Sequence, residues 1–352
     1  MKLLRFFLWI VVFVAVLVGV AEWYLSRQGF AVEAVDGCRE YDMFDPYLGW
    51  VVRPGSSVSY EADGETGVRE NVWPDTSRVS RPTRDKQASK RVLLVGCSHT
   101  YGMGVPDEAT FAWKLNKRFP DICFDNFGVP AYGTYQCYLR EKQQLLMHPD
   151  YDLVLYCAVI DHLSRNTIWQ VHIGDIERKR YYVMDPRVDL DERGELRFYE
   201  PFRRWLGDDM LLSINFAKRV YYCRLIEQSE QKRTLPELEK TAAFWELNRL
   251  MDEQAEKNGA KYGLVWLDSE NSWDDIVIRT QNLRADNPWN NPRYADKKYP
   301  SVYNCCTHLR NSGDPALHLG NNPTAHYNEK VHNLWAKAIG DWVEILLREG
   351  DN

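Results

Sequence analysis

The stretch "LLVGCSHTYGMGVPDEATFAWKL", Leu93 to Leu115, passes from an apolar run through small residues into an amphipathic pattern. A continuous Val- and Leu-rich run belongs to a strand covered on both faces, and the Gly96-Cys97-Ser98 junction predicts a tight turn into a helix. In an open parallel sheet that junction lies at the carboxyl edge, where ligands bind. Ser98 therefore stands where chemistry is presented, with helix N–H groups turned toward the same space and favouring a developing negative charge. Its other reading is a helix-capping serine, worth about 1 kcal/mol.

The runs "RVLLVG", "ICFDNFG", "DLVLYCAV", "YGLVWL" and "VYNCCTHL" repeat the same apolar character. Helices are expected between them: Glu108 to Phe119, Tyr135 to Met147, a long one opened by Thr234-Leu235-Pro236-Glu237 and stopped by Gly259, and a last one from Tyr327 to Leu347. Strands alternating with helices predict a three-layer α/β fold around a parallel sheet. Residues 162–233, rich in charge and aromatics, read as an insertion on that fold, in the manner of a lid.

The chain has 352 residues, 45% of them apolar, 27% charged, with a net charge of −6. That is the composition of a folded protein, and no basic face is long enough to follow phosphates, so no nucleic-acid partner is expected. Of eight cysteines, Cys97, Cys123, Cys137 and Cys157 sit in or beside apolar runs where buried thiols are common, and the adjacent Cys305 and Cys306 are poorly placed to bond each other. No C-x-x-C spacing occurs, so neither a structural metal nor a cofactor is expected.

Residues 1–28 form a separate unit: Lys2 and Arg5 precede an uncharged run from Phe6 to Ala21, followed by Glu22, Trp23 and Tyr24. The run spans about 24 Å as a helix and needs snorkelling Arg5 and interfacial aromatics to cross a bilayer. It reads as a signal anchor, with cleavage after "GVA", Gly19 to Ala21, as the competing reading. The positive N-terminus puts that end in the cytoplasm. The expectation is thus a single-pass protein of a bacterial inner membrane, its main domain in the periplasm or outside the cell. Residues 29–88 read as a short β-rich or irregular extension, and 89–352 as the main domain.

The sequence resembles the SGNH, or GDSL-type, hydrolases. "VGCSHTYGMGVPDEATFAWKL" is similar to their first block, "DNFGVPAYGTYQ" (Asp125 to Gln136) to the second, "YDLVLYCAVIDH" (Tyr151 to His162) to the third and "HYNEKVHNLWAKAI" (His326 to Ile339) to the last. "DPYLGWVVRP" resembles the extension that precedes this domain in membrane-anchored members linked to cell-surface polysaccharide modification. The resemblance implies a flavodoxin-like αβα fold, Ser98 as nucleophile, His326 as its base, and an oxyanion held by the N–H of Ser98, the N–H of Ala131 and a third-block side chain. His332 and Ala336 keep the register of His326; a register anchored on Pro323 would instead put Asn322 at the base position.

Four positions depart from the family pattern. Cys97 replaces the aspartate before the serine, Ala131 the second-block glycine, Ile160 the third-block asparagine, and Pro323 the acid that orients the base. A lost oxyanion donor costs about 2.7–4 kcal/mol, so His162 or Arg165 would have to substitute. Asp161 reads as fixing loop geometry, and Asn322 or Asp314 as a replacement for the missing acid. His99 reads as packing, and "RADNPWNNPRYADKKYPS", Arg284 to Ser301, as a Pro/Asn-rich loop or a glycan contact.

The resemblance implies a serine esterase or O-acyltransferase. Its substrate would be an acylated cell-envelope glycan or a small ester, with a membrane-bound acyltransferase as a partner in some pathways. Two other readings stay open: a degenerate member that binds a glycan or an assembly partner, and a cysteine-based acyl carrier using Cys97.

Overall fold

The computed structural model describes residues 2–28, 42–62, 65–84, 87–166, 186–199, 237–267, 270–285, 302–304, 314–319 and 326–348. Five strands form one parallel sheet: β5 (Lys90–Gly96), β6 (Ile122–Asn126), β7 (Leu153–Ala158), β10 (Lys261–Trp266) and β11 (Val302–Asn304). Their order is β11-β10-β7-β5-β6. Counted along the chain this is 2-1-3-4-5, the flavodoxin-like winding, in which the strand order reverses between β5 and β7.

Period-two alternation divides the strands between two cores, which defines the layers. Leu93 and Val95 of β5, Val154 and Tyr156 of β7, and Leu264 and Trp266 of β10 pack with α4 (Thr134–Met147) and α6 (Glu237–Lys257). Val92, Leu94, Leu153, Leu155 and Val265 face the other way, against α3 (Phe111–Arg118) and α8 (Glu329–Arg348). The expected three-layer α/β fold is therefore present, with five strands where the apolar runs lie.

The helix expected from Glu108 is broken. Asp107–Ala109 make one 3₁₀ turn, and α3 starts after Thr110, whose side chain accepts the N–H of Trp113. A threonine oxygen that satisfies an orphan N–H fixes the start of a helix more firmly than the propensity of the residues before it. The Thr234 cap, most of the 162–233 insertion, Cys305, Cys306 and the Arg284–Ser301 loop beyond Ala285 lie outside the described residues. Within the insertion, β8 (Arg187–Leu190) and β9 (Leu196–Tyr199) form an antiparallel hairpin.

The segment before the sheet forms two hairpins, β1 (Asp42–Asp45) with β2 (Gly49–Val52) and β3 (Ser57–Ala62) with β4 (Glu65–Asn71). Leu48, Trp50, Val51, Val52 and Val72 are buried in the same cluster as the α4 face of the sheet. The N-terminal helix α1 (Lys2–Arg27) includes a stretch, Arg5–Arg27, long and apolar enough to cross a membrane, with mean hydropathy 2.4 and most of its large apolar side chains exposed.

Candidate active site

Ser98 lies at the carboxyl end of β5, beside the point where the strand order reverses. It is the first residue of a one-turn helix, α2 (Ser98–Tyr101), and is 6% exposed. Cys97 is the residue before the helix, extended at φ −98° and ψ −153°, and no side chain caps the helix start. Ser98 is thus not a capping serine; its carbonyl accepts the N–H groups of Gly102 and Met103, both at 3.0 Å, which closes the turn.

The turn is held against the sheet by close backbone approach. A Cβ on Gly96 would meet Thr100 Oγ1 at 2.0 Å and the Cys157 carbonyl at 2.6 Å, so only glycine fits there. Asn126, at the end of β6, donates from Nδ2 to the Thr100 carbonyl (2.8 Å) and accepts from the Gly128 N–H (3.0 Å). One buried amide therefore joins the Ser98 turn to the second-block loop.

That loop carries Ala131 at φ +68°, the left-handed region glycine occupies without cost. The alanine at this position thus adopts the backbone that a glycine would. The β1–β2 hairpin braces it: Trp50 Nε1 donates to the Pro130 carbonyl (3.2 Å), the Tyr132 hydroxyl donates to the Trp50 carbonyl, and Gln136 Nε2 donates to the Leu48 carbonyl (3.0 Å). Among the described residues, neither the Ser98 N–H nor the Ala131 N–H has a hydrogen-bond acceptor. The Ser98 N–H is one of the orphan donors that every helix start leaves.

His326 enters the same end of the sheet. Its ring centroid is 5.3 Å from that of His99, the neighbour of Ser98. The segment is fixed by a bridge between Tyr327 and His318, whose rings lie 4.7 Å apart, and by the Asn328 side chain, which donates to the Ala316 and His318 carbonyls. His99 packs edge-on to Tyr327 and Trp335, and its Nδ1 lies 3.7 Å from Cys97 Sγ. His332 is buried: its Nδ1 accepts the Phe111 N–H at 3.2 Å, tethering α8 to α3, and burial lowers its pKa to about 3, so it is neutral at physiological pH.

Ile160 precedes the short helix α5 (Asp161–Arg165) and packs against the α4 side of the core. His162 is fully buried, with Nδ1 2.6 Å from the Tyr156 hydroxyl, and burial lowers its pKa. Burial pushes the Cys97 thiol up, but the His162 imidazole and the Arg165 guanidinium pull it back to about 7. His162 supports the turn from beneath. Asp161 Oδ2 pairs with Arg165 Nη2 at 3.0 Å, and Arg165 Nη1 donates to the Tyr132 carbonyl at 3.3 Å.

Of the two residues expected to replace the missing acid, Asp314 accepts the Ala316 N–H with Oδ1 (2.9 Å), capping the 3₁₀ turn Pro315–Leu317. Asn322, like Pro323, lies outside the described residues. Among the described residues no group of three or more His, Cys, Asp or Glu side chains is arranged to hold a metal ion.

Sequence reasoning missed the residues that tie the extension to the site. Arg78, fully buried, pairs with Asp107 (2.9 Å) and Glu70 (3.4 Å) and lies over the Tyr101 ring. Glu70 Oε1 also accepts the Gly104 N–H (2.7 Å), just past the Ser98 turn. An arginine in a Pro- and Ser-rich stretch reads as solvated, and its partners are not local; the one available signal was the odd placement of Glu70 among β-forming residues.

No family profile matches the chain, and no curated protein sequence matches it. Among solved structures it is similar to a member of the lipolytic protein G-D-S-L family from Veillonella parvula, with 10% identity, 72% of this chain and 97% of that one, and a TM-score of 0.38. It is also similar to the psychrotrophic esterase EstA from Pseudoalteromonas sp., with 11% identity, 73% and 100% coverage, and a TM-score of 0.37. A GDSL-like lipase from Bacteroides thetaiotaomicron matches at 13% identity, 75% and 91% coverage, and a TM-score of 0.32.

Proposed function

We propose that this chain is a serine-dependent ester hydrolase or acyltransferase of the SGNH type, acting on acylated cell-envelope glycan. The reading is supported by the position of Ser98 at the strand-order reversal, with the His326 ring 5.3 Å from that of its neighbour His99 and with Ala131 in left-handed backbone on the loop joined to the Ser98 turn by Asn126. Ser98 Oγ attacks the ester carbonyl and its proton passes to His326. The carbonyl π pair moves onto oxygen and is held by the two amides. When the tetrahedral species collapses, the alcohol leaves with the proton from His326, and water or a sugar hydroxyl then takes the acyl group by the reverse sequence.

The apolar helix α1 anchors the protein in the bacterial inner membrane with residues 89–352 as a periplasmic or outward-facing domain, and residues 29–88 couple the two. In this reading Asn322 or a backbone carbonyl orients His326, and a membrane-bound acyltransferase supplies or shares the acyl group. The assay is acetate release from acetylated xylan fragments and from p-nitrophenyl acetate by the full chain in detergent. Release abolished by Ser98→Ala supports the reading, and release unchanged by it refutes the assignment of the nucleophile.

The second reading, a glycan-binding protein without catalysis, is favoured by Ile160, whose side chain packs on the core and has no polar group to give a substrate. Folded wild-type protein that retains acetylated glycan on a column without releasing acetate would establish it.

A further inference from the structure

The short helix α5 brings a cation, Arg165, against the loop that carries Ala131. Two donors of the Arg165 guanidinium are committed, Nη1 to the Tyr132 carbonyl at 3.3 Å and Nη2 to Asp161 Oδ2 at 3.0 Å. A guanidinium has five N–H donors in a fixed fork, so most of its donor capacity stays open. The side chain is 17% exposed, enclosed enough for its charge to be weakly screened and open enough to meet a ligand.

Its position is set by backbone packing. A Cβ on Gly133 would meet Arg165 Cβ at 2.8 Å, its carbonyl carbon at 3.0 Å and its oxygen at 3.1 Å, so α5 is seated directly on the loop that presents the Ala131 N–H. Its field reaches the residue beside the nucleophile, since Arg165 is among the groups that lower the Cys97 pKa. Ile160, at the start of the same helix, offers no donor.

We propose that Arg165 is the third oxyanion donor of this site, a guanidinium that binds the negative oxygen formed when Ser98 attacks. The inference rests on the proposed serine chemistry. Arg165 contacts charge that exists only in the tetrahedral species, so its removal lowers kcat and leaves KM nearly unchanged. A preorganised donor of this kind accounts for about 10²–10³ in rate.

The test uses full-length protein in detergent and an alkyl fluorophosphonate. In the labelling step the Ser98 Oγ–P bond forms, the P–F bond breaks, fluoride leaves, the serine proton passes to His326, and the phosphoryl oxygen takes the oxyanion position. Labelling rates and kcat for p-nitrophenyl acetate are compared for wild type, Arg165→Gln, Arg165→Lys and Arg165→Ala, with the thermal midpoint of each. The expected result is a loss of about 10²-fold or more in Arg165→Gln, a smaller loss in Arg165→Lys, and partial rescue of Arg165→Ala by added guanidinium ion. A brace for Tyr132 alone would lower the midpoint and give no rescue. Labelling of Arg165→Gln within about threefold of wild type overturns the inference while leaving the serine chemistry standing. A wild type that never labels overturns both.

Discussion

Asp125 is the charge on which the junction between extension and sheet depends, and Asp125→Asn is the perturbation that exposes it. Its carboxylate is buried at the end of β6 and receives Arg81 at 2.8 Å, Arg84 at 2.9 Å and Arg91 at 2.6 Å, together with the Tyr151 hydroxyl at 3.0 Å. Burial alone would raise its pKa; the three guanidinium groups outweigh that and hold it at about 2, against an ordinary 3.8. The native state therefore binds fewer protons than the unfolded chain between those values, and the difference contributes about 2 kcal/mol at neutral pH. That contribution is complete above about pH 4 and is lost as pH falls toward 2. Replacing the carboxylate by an amide leaves three buried or half-buried cations facing one another, so the cost at pH 7 exceeds the linkage term and is about 3–5 kcal/mol. Urea unfolding of wild type and Asp125→Asn from pH 7 to pH 2.5 measures both. Wild type should lose stability steeply below pH 4 and the variant should lack that component of the slope. A variant within about 0.5 kcal/mol of wild type at pH 7, the size of ordinary surface effects, would mean that the three arginines do not depend on this carboxylate.

Ala131→Gly should stabilise the protein by about 0.5–1 kcal/mol, because release of the left-handed strain exceeds the added unfolded-state entropy, and should leave labelling of Ser98 intact; Ala131→Val should lower both stability and labelling. Trp50→Phe keeps a buried ring but deletes the bond to Pro130, so about 1 kcal/mol of stability and part of the labelling rate should be lost, read by denaturant midpoint and probe kinetics. Gly96→Ala forces the Ser98 turn away from the Cys157 carbonyl and should abolish labelling in protein that still shows native far-UV circular dichroism.

The strand runs and the Ser98 junction were legible because a doubly covered parallel strand leaves an uninterrupted apolar signature, and because small residues are required where backbone approaches backbone, as at Gly96. The spacing from His326 to His332 was legible for a similar reason: the second imidazole accepts the Phe111 N–H and so fixes where the last helix docks. The strand order followed only from the family resemblance, which implied the flavodoxin-like winding, since no local pattern in the apolar runs says which strands are neighbours. The break before Phe111 escaped a reading based on periodicity because one threonine side chain decides it. The burial of Arg78 and Asp125 depends on partners brought together by the fold, and no local pattern encodes a charge whose counter-ions are distant in sequence. Ala131 was legible as a position but not as a conformation, since alanine carries no signal for a positive φ.

The proposed chemistry turns on Ser98 being an activated nucleophile. Peptide mapping by mass spectrometry after fluorophosphonate treatment of the full chain tests it most directly, with Ser98→Ala and His326→Ala alongside. A single phosphonylated peptide containing Ser98 is expected, absent from Ser98→Ala and strongly reduced in His326→Ala. An adduct on any other residue, or none on folded wild-type protein, would contradict it.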